Sequence, residues 1–174
     1  MKIHVLLISL LFSIFLPAQI TESGMNGLKI SQTLQETEKM TGQKLKLKLS
    51  EEDWGHIATV RVQDAELKLV FMDINYDEGK PNYILFHIST QSTKIKTVKG
   101  MGVGNTLDEL WNTYKDHSIS IWKDWAKEEL KTKDNFRIFT VQASLDDDLA
   151  PSEISFYLKN NKVYKVEVYL YEGC

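Results

Sequence analysis

The apolar positions of this chain recur at two periods, and the changes of period divide it into elements. Leu107, Leu110, Trp111 and Tyr114 fall at i, i+3, i+4 and i+7, the stripe of a helix buried on one side. Ahead of it, Thr106-Leu-Asp-Glu109 has the S/T-x-x-E form of a capping box, in which the threonine hydroxyl and the glutamate carboxylate satisfy free N–H groups of the first turn. Thr33-Leu-Gln-Glu36 gives the same start signal, and Gly42 is placed to end that helix in the left-handed conformation. Elsewhere the period is two. Leu45, Leu47 and Leu49 alternate with lysines, Ile57–Val62 and Leu67–Ile74 read as strands, and Ile84, Phe86 and Ile88 return after the turn-forming run 77–82. In the second half, Ile119 and Ile121 alternate with serines. Phe136–Ala143, Ile154–Leu158 and Val163–Tyr171 are further predicted strands, with an acidic turn over 145–152. For the ambiguous stretch Trp122–Lys131, helix is the expectation, because Trp122, Trp125, Ala126 and Leu130 fit one face. The small, polar residues 19–26 read as a loose leader, and Trp111 as part of the core.

The two halves resemble each other. Gly27 falls on Gly100, Leu28 on Met101, Ile30 on Val103, Thr33 on Thr106, Leu34 on Leu107 and Glu36 on Glu109. The later hairpins superpose as well, with Asp77 on Asp147, Glu78 on Asp148, Pro81 on Pro151, Ile84 on Ile154 and Phe86 on Phe156. The expected architecture is therefore α+β: two tandem helix-plus-antiparallel-hairpin repeats, about 27–92 and 93–174, sharing one antiparallel sheet with helices on one face.

Hydropathy at the front changes where this protein is expected to act. Lys2 and His4 precede an unbroken apolar or small run, Val5–Phe15, followed by Leu16-Pro17-Ala18. A bilayer-spanning helix needs about 20 apolar residues, so the run reads as a cleaved secretory signal, residues 1–18, ahead of a single domain, 19–174. The only cysteine is Cys174, which excludes an internal disulfide and a lipidated cysteine at the cleavage site. A periplasmic or secreted protein with no membrane span is the expectation. Lys+Arg number 21 against 24 Asp+Glu, and Lys2 is the only charged residue of the signal segment 1–18. The mature chain is mildly acidic, which argues against a nucleic-acid partner.

Candidate chemistry thins out on inspection. Gly100-x-Gly102-x-Gly104 before a helix suggests a dinucleotide fingerprint, but its third glycine comes one residue early and the first half keeps only Gly27. Asp73-x-Asn75-x-Asp77-x-Gly79 echoes a calcium loop, yet its glycine is displaced by one position and Ile84 stands where the bidentate glutamate belongs. His56, His87 and His117 lack the spacing of a zinc ligand set. No nucleophile–base pair can be named. Catalytic, metal and cofactor-binding residues are all expected to be none.

The repeated G-Φ-x-Φ-[GS]-x-T-Φ-x-E motif (Φ apolar), over Gly27–Gly42 and Thr97–Tyr114, resembles the tandem module of the β-lactamase-inhibitor-protein and outer-membrane-assembly small-lipoprotein group. It is also similar to uncharacterised exported proteins of Gram-negative bacteria carrying a T-x-x-G-Φ-x-Φ-G-x-[ST] turn. The chain lacks the lipidated cysteine of one branch and the paired cysteines of the other. The resemblance implies a non-catalytic envelope protein that binds another protein through its sheet, as an inhibitor, immunity protein or assembly factor. The alternative is a small-molecule or glycan binder using an aromatic-lined concavity. The candidate contact residues are the hairpin tips Asp77, Glu78, Asp146, Asp147 and Asp148, together with Trp122 and Trp125. Replacing Asp146, Asp147 and Asp148 by asparagine should weaken partner binding and flatten its salt dependence; an unchanged affinity and salt slope would remove the tips from the account.

Overall fold

A computed structural model describes residues 19–51, 54–75, 79–130, 133–142 and 152–170. The proposed signal segment, the acidic tips at 77–78 and 146–148, and Cys174 lie outside the described residues. In chain order the elements are β1 (Gln19–Thr21), β2 (Gly24–Met25), β3 (Leu28–Lys29), α1 (Leu34–Thr41), β4 (Lys48–Ser50), β5 (Gly55–Val62), β6 (Ala65–Asp73) and β7 (Tyr83–Thr90). They continue with β8 (Lys96–Thr97), α2 (Leu107–Tyr114), β9 (Ile119–Lys123), a 3-10 helix (Trp125–Leu130), β10 (Phe136–Gln142), β11 (Ser152–Lys159) and β12 (Lys162–Leu170). No helix among the described residues is long and apolar enough to cross a membrane.

This architecture corrects the expected fold class. The protein is mostly β, with two sheets, and it is not built from helix-plus-hairpin repeats. The large sheet is antiparallel, ordered β4-β5-β6-β7-β12-β11-β10-β9, so four strands follow each helix and β7 meets β12 at the centre. The hairpin matching also fails. It lays the turn before β7 on the turn before β11, yet β7 is the innermost strand of its half while β12 separates β11 from the centre. Alternation has period two and carries no ordinal label, so any hairpin resembles any other.

Two strands of the second sheet, β1 and β2, come from residues expected to be a loose leader. That sheet is ordered β3-β2-β1-β8, with β1 and β8 parallel. Ile20 pairs with Met25, and both are fully buried in the core. Strands this short present no alternation long enough to register in a sequence window. Gly24 is required by close approach, because a Cβ there would lie 1.8 Å from the Leu28 carbonyl oxygen.

Local signals elsewhere were stronger. Both capping boxes form: Glu36 accepts the Thr33 N–H at 2.8 Å and Glu109 accepts the Thr106 N–H at 2.6 Å, while each threonine hydroxyl accepts the third-position N–H. Gly42 closes α1 at φ 66°. Two hairpins turn on two residues with positive φ, Gln63-Asp64 and Asn160-Asn161, the mirror-image geometry that matches strand twist.

Both helices and the small sheet share one core with the large sheet. Leu110 and Tyr114 are buried, and the Tyr114 ring lies 5.9 Å from Phe156, while its hydroxyl donates to Thr97 Oγ1 at 3.0 Å. Trp111 departs from expectation and is 49% exposed, since the eight residues of α2 seat only a narrow stripe. Leu45 and Leu47 pack on the core from an irregular segment, and only Lys48–Ser50 pairs as a strand. The stretch expected to be helical continues β9 through Lys123 before the 3-10 helix begins.

If β1 and β2 are structural, Met25→Ala should cost about 2–5 kcal/mol in urea unfolding of residues 19–174. A loss below about 0.5 kcal/mol, the range of an inert surface change, would restore the loose-leader reading.

Candidate functional site

Alternation along each strand sends every second side chain away from the core. Three cross-strand rows of these side chains meet on the half of the sheet built by β7, β12, β11, β10 and β9. One row runs Ser89–Glu167–Ser155–Thr140–Ser120. On one side of it lies His87–Tyr169–Glu153–Gln142, and on the other Lys165–Tyr157–Ile138–Trp122. This is the sheet face opposite the helices, hereafter the open face.

Its two glutamates are buried, Glu153 at 4% and Glu167 at 8% exposure, and the surrounding side chains hold them. Tyr157 donates its hydroxyl to Glu167 Oε2 at 2.5 Å. Lys165 Nζ stands 3.5 Å from the same oxygen and 3.6 Å from the centre of the Tyr157 ring, so one cation serves a carboxylate and a π-face together. His87 Nδ1 lies 3.8 Å from Glu167 Oε1. Tyr169 donates to Glu153 Oε2, Gln142 donates to Glu153 Oε1 at 3.2 Å, and Ser118 donates to Gln142 Oε1 at 2.7 Å. Thr140 and Ser155 share a buried hydroxyl bond of 2.7 Å. Among the described residues, no buried side-chain polar atom lacks a partner.

Burial, and then the charge of Glu167, push the Tyr157 hydroxyl far above the ordinary tyrosine range. Tyr169 rises through burial and its bond to Glu153. Tyr164, beside Tyr157, is pushed up to about 12 by burial and then by the charge of Asp124. A phenol that resists ionisation stays a donor, so each carboxylate keeps its acceptor role filled. The result is a fixed lattice of donors and acceptors fringed by aromatic surface.

Of the sequence candidates, Trp122 ends the Ile138–Tyr157 row at 49% exposure, and Trp125 follows on the 3-10 helix at 66%, with Lys123 Nζ 5.5 Å from its ring centre. The glycine turn at Gly100–Gly104 is filled from within: Lys96 Nζ donates to the Val103 carbonyl at 2.7 Å and to Asn105 Oδ1 at 2.9 Å. The calcium-like stretch spends Asp73 Oδ1 on the backbone N–H groups of Asn75 and Asn82. Among the described residues, no three His, Cys, Asp or Glu side chains gather closely enough to hold a metal ion.

Sequence reasoning missed Glu153, Tyr157, Glu167 and Tyr169. The available signal was the interleaving of Tyr164, Lys165, Glu167 and Tyr169 with Val163, Val166 and Val168, which marks a strand with a richly polar outer face. No family model matches the chain, and no curated protein or solved structure matches it significantly.

Raised tyrosines also make a titration prediction. Their neutral forms are favoured in the folded state, so this contribution is intact below the unfolded value near 10 and is lost as pH rises beyond it. Absorbance at 295 nm should therefore show Tyr114, Tyr157, Tyr164 and Tyr169 ionising late, together with unfolding. A single transition near 10 for all seven tyrosines would contradict the buried lattice.

Proposed function

We propose that this chain is a non-catalytic, exported binding protein that holds another protein against the open face of its large sheet. The observation that carries the reading is the Lys165–Tyr157–Ile138–Trp122 row: an exposed indole at the end of half-buried aliphatic and aromatic side chains, beside carboxylates already locked by hydrogen bonds. Tryptophan and tyrosine are enriched among the few residues that dominate binding energy at protein interfaces, and a surface fixed before binding loses less side-chain entropy. The resemblance of the Gly27–Gly42 and Thr97–Tyr114 motifs to a group that binds proteins through a sheet supports the same reading. So does the apolar front segment, which fits export to the envelope.

Affinity capture of tagged residues 19–174 from the host's envelope extract tests this. A stoichiometric protein partner is expected, with Trp122→Ala weakening its binding about 30-fold or more, as a hot spot does. Trp111→Ala, on the helix side, should leave binding unchanged. A partner indifferent to Trp122 would contradict the site. Tryptophan quenching by cell-wall glycans with no captured protein would replace the protein partner with a saccharide.

A further inference from the structure

One row beyond Lys165–Tyr157–Ile138–Trp122, the open face ends in a cluster of rings, carboxylates and lysines. Lys159 Nζ lies 2.7 Å from Asp134 Oδ2 and 5.8 Å from the centre of the Phe136 ring. Lys165 Nζ stands in the same way between Glu167 and the Tyr157 ring. Each ammonium serves a carboxylate and a π-face at once. A third carboxylate, Asp124, and a third ring, Tyr164, complete the cluster, and no lysine serves them.

Backbone geometry brings the two together. The Asp124 N–H bonds the Phe136 carbonyl at 3.2 Å and so continues the β9 ladder, and alternation turns its side chain to the open face as it does that of Trp122 two residues earlier. The register between β11 and β12 shifts after Tyr157, which bulges Tyr164 and sets its ring 6.2 Å from Phe136 and 6.4 Å from Tyr157. The charge of Asp124 is felt at the hydroxyls of Tyr164 and Tyr157, which places the carboxylate among these rings. Asp124 is only 7% exposed. Among the described residues, none donates a hydrogen bond to its carboxylate and none pairs with its charge; none bonds the Tyr164 hydroxyl or sets a cation over its ring. Fully buried polar atoms in this fold all have partners, so the little of Asp124 that meets solvent includes its carboxylate oxygens.

A carboxylate nine-tenths buried with no donor carries a desolvation cost that folding does not recover. A cation able to face a ring as well recovers it, as the two lysines do for Asp134 and Glu167. Guanidinium suits the place better than a third ammonium. Its planar fork gives a carboxylate two parallel N–H bonds, leaves a donor for the Tyr164 hydroxyl oxygen, stacks on an aromatic face and sheds water readily. We propose that Asp124 and Tyr164 form a binding site for a guanidinium group, filled by an arginine of the protein held on the open face. The arginine rests on the protein-binding reading above and gives it a charged anchor, with Trp122 two residues along the same face to cover the chain beside it.

Nuclear magnetic resonance titration of isotope-labelled residues 19–174 with N-acetyl-arginine amide tests the site without any partner. Saturable shifts at Asp124, Phe136 and Tyr164 are expected, with a dissociation constant of about 1–10 mM for so small a probe. The neutral isostere N-acetyl-citrulline amide should give none. Asp124→Asn should weaken the arginine probe about 10-fold or more. The same variant should leave the urea midpoint unchanged or raise it, because no internal bond is lost. No saturable shift with arginine, an equal response to citrulline, or a clear fall in the Asp124→Asn midpoint would each overturn the proposal. Arginine binding with no captured protein upholds the site and counts against the protein-partner reading alone; a captured partner with no arginine response does the reverse.

Discussion

The antiparallel ladder between β7 and β12 is the constraint on which everything else rests. It joins the strands that follow α1 to those that follow α2, and it fixes both faces at once. On the core side it sets Ile88 beside Val168 and Thr90 beside Val166; on the open side it sets His87 beside Tyr169 and Ser89 beside Glu167. A slip of one residue would turn the valines to water and drive a carboxylate and a phenol into the apolar interior. Burying an unpaired carboxylate costs far more than a lost methyl contact, so the buried glutamates enforce the register as strongly as the valines do. The core and the open face are two consequences of one pairing.

The open face follows from that register. Glu153 and Glu167 are buried, and the tyrosines across the strands make this tolerable by donating hydroxyl bonds. Glu153 is held by the neutral donors Tyr169 and Gln142, which bring no second charge to desolvate, while Glu167 adds the part-exposed Lys165 ammonium to its Tyr157 bond. The consequence is rigidity. Side chains that already hold each other have little freedom left to lose, and the indole of Trp122 completes the row as a stiff apolar edge. The proposed binding at this face would draw on surface fixed during folding.

Legibility in the sequence followed the range of the interaction concerned. Thr33–Glu36 and Thr106–Glu109 close hydrogen bonds over three residues, and both capping boxes were readable. The strands of the second half were visible through alternation, because β10, β11 and β12 are long enough to show it. β1, β2 and β3 were not, since Ile20 and Met25 become core only by pairing with each other and packing on distant strands. The hairpin match between 77–88 and 147–158 failed for a related reason: residue pattern carries face but not strand order. Trp111 satisfied the helical period and is still half in water, because period alone does not say how wide a face the neighbouring strands will cover. Of the site, only Trp122 and Trp125 were singled out. The Tyr–Glu pairs are cross-strand contacts, and their register depends on turns that a single sequence leaves open.

The most direct test of the central claim is site-specific photo-crosslinking in the living host. A photoreactive residue in place of Ile138, between Tyr157 and Trp122 on the open face, should give one discrete covalent adduct with another protein. The same residue in place of Asn112, exposed on α2, should give none. An adduct from position 112 with nothing from position 138 would move the working surface to the helix side and contradict the account.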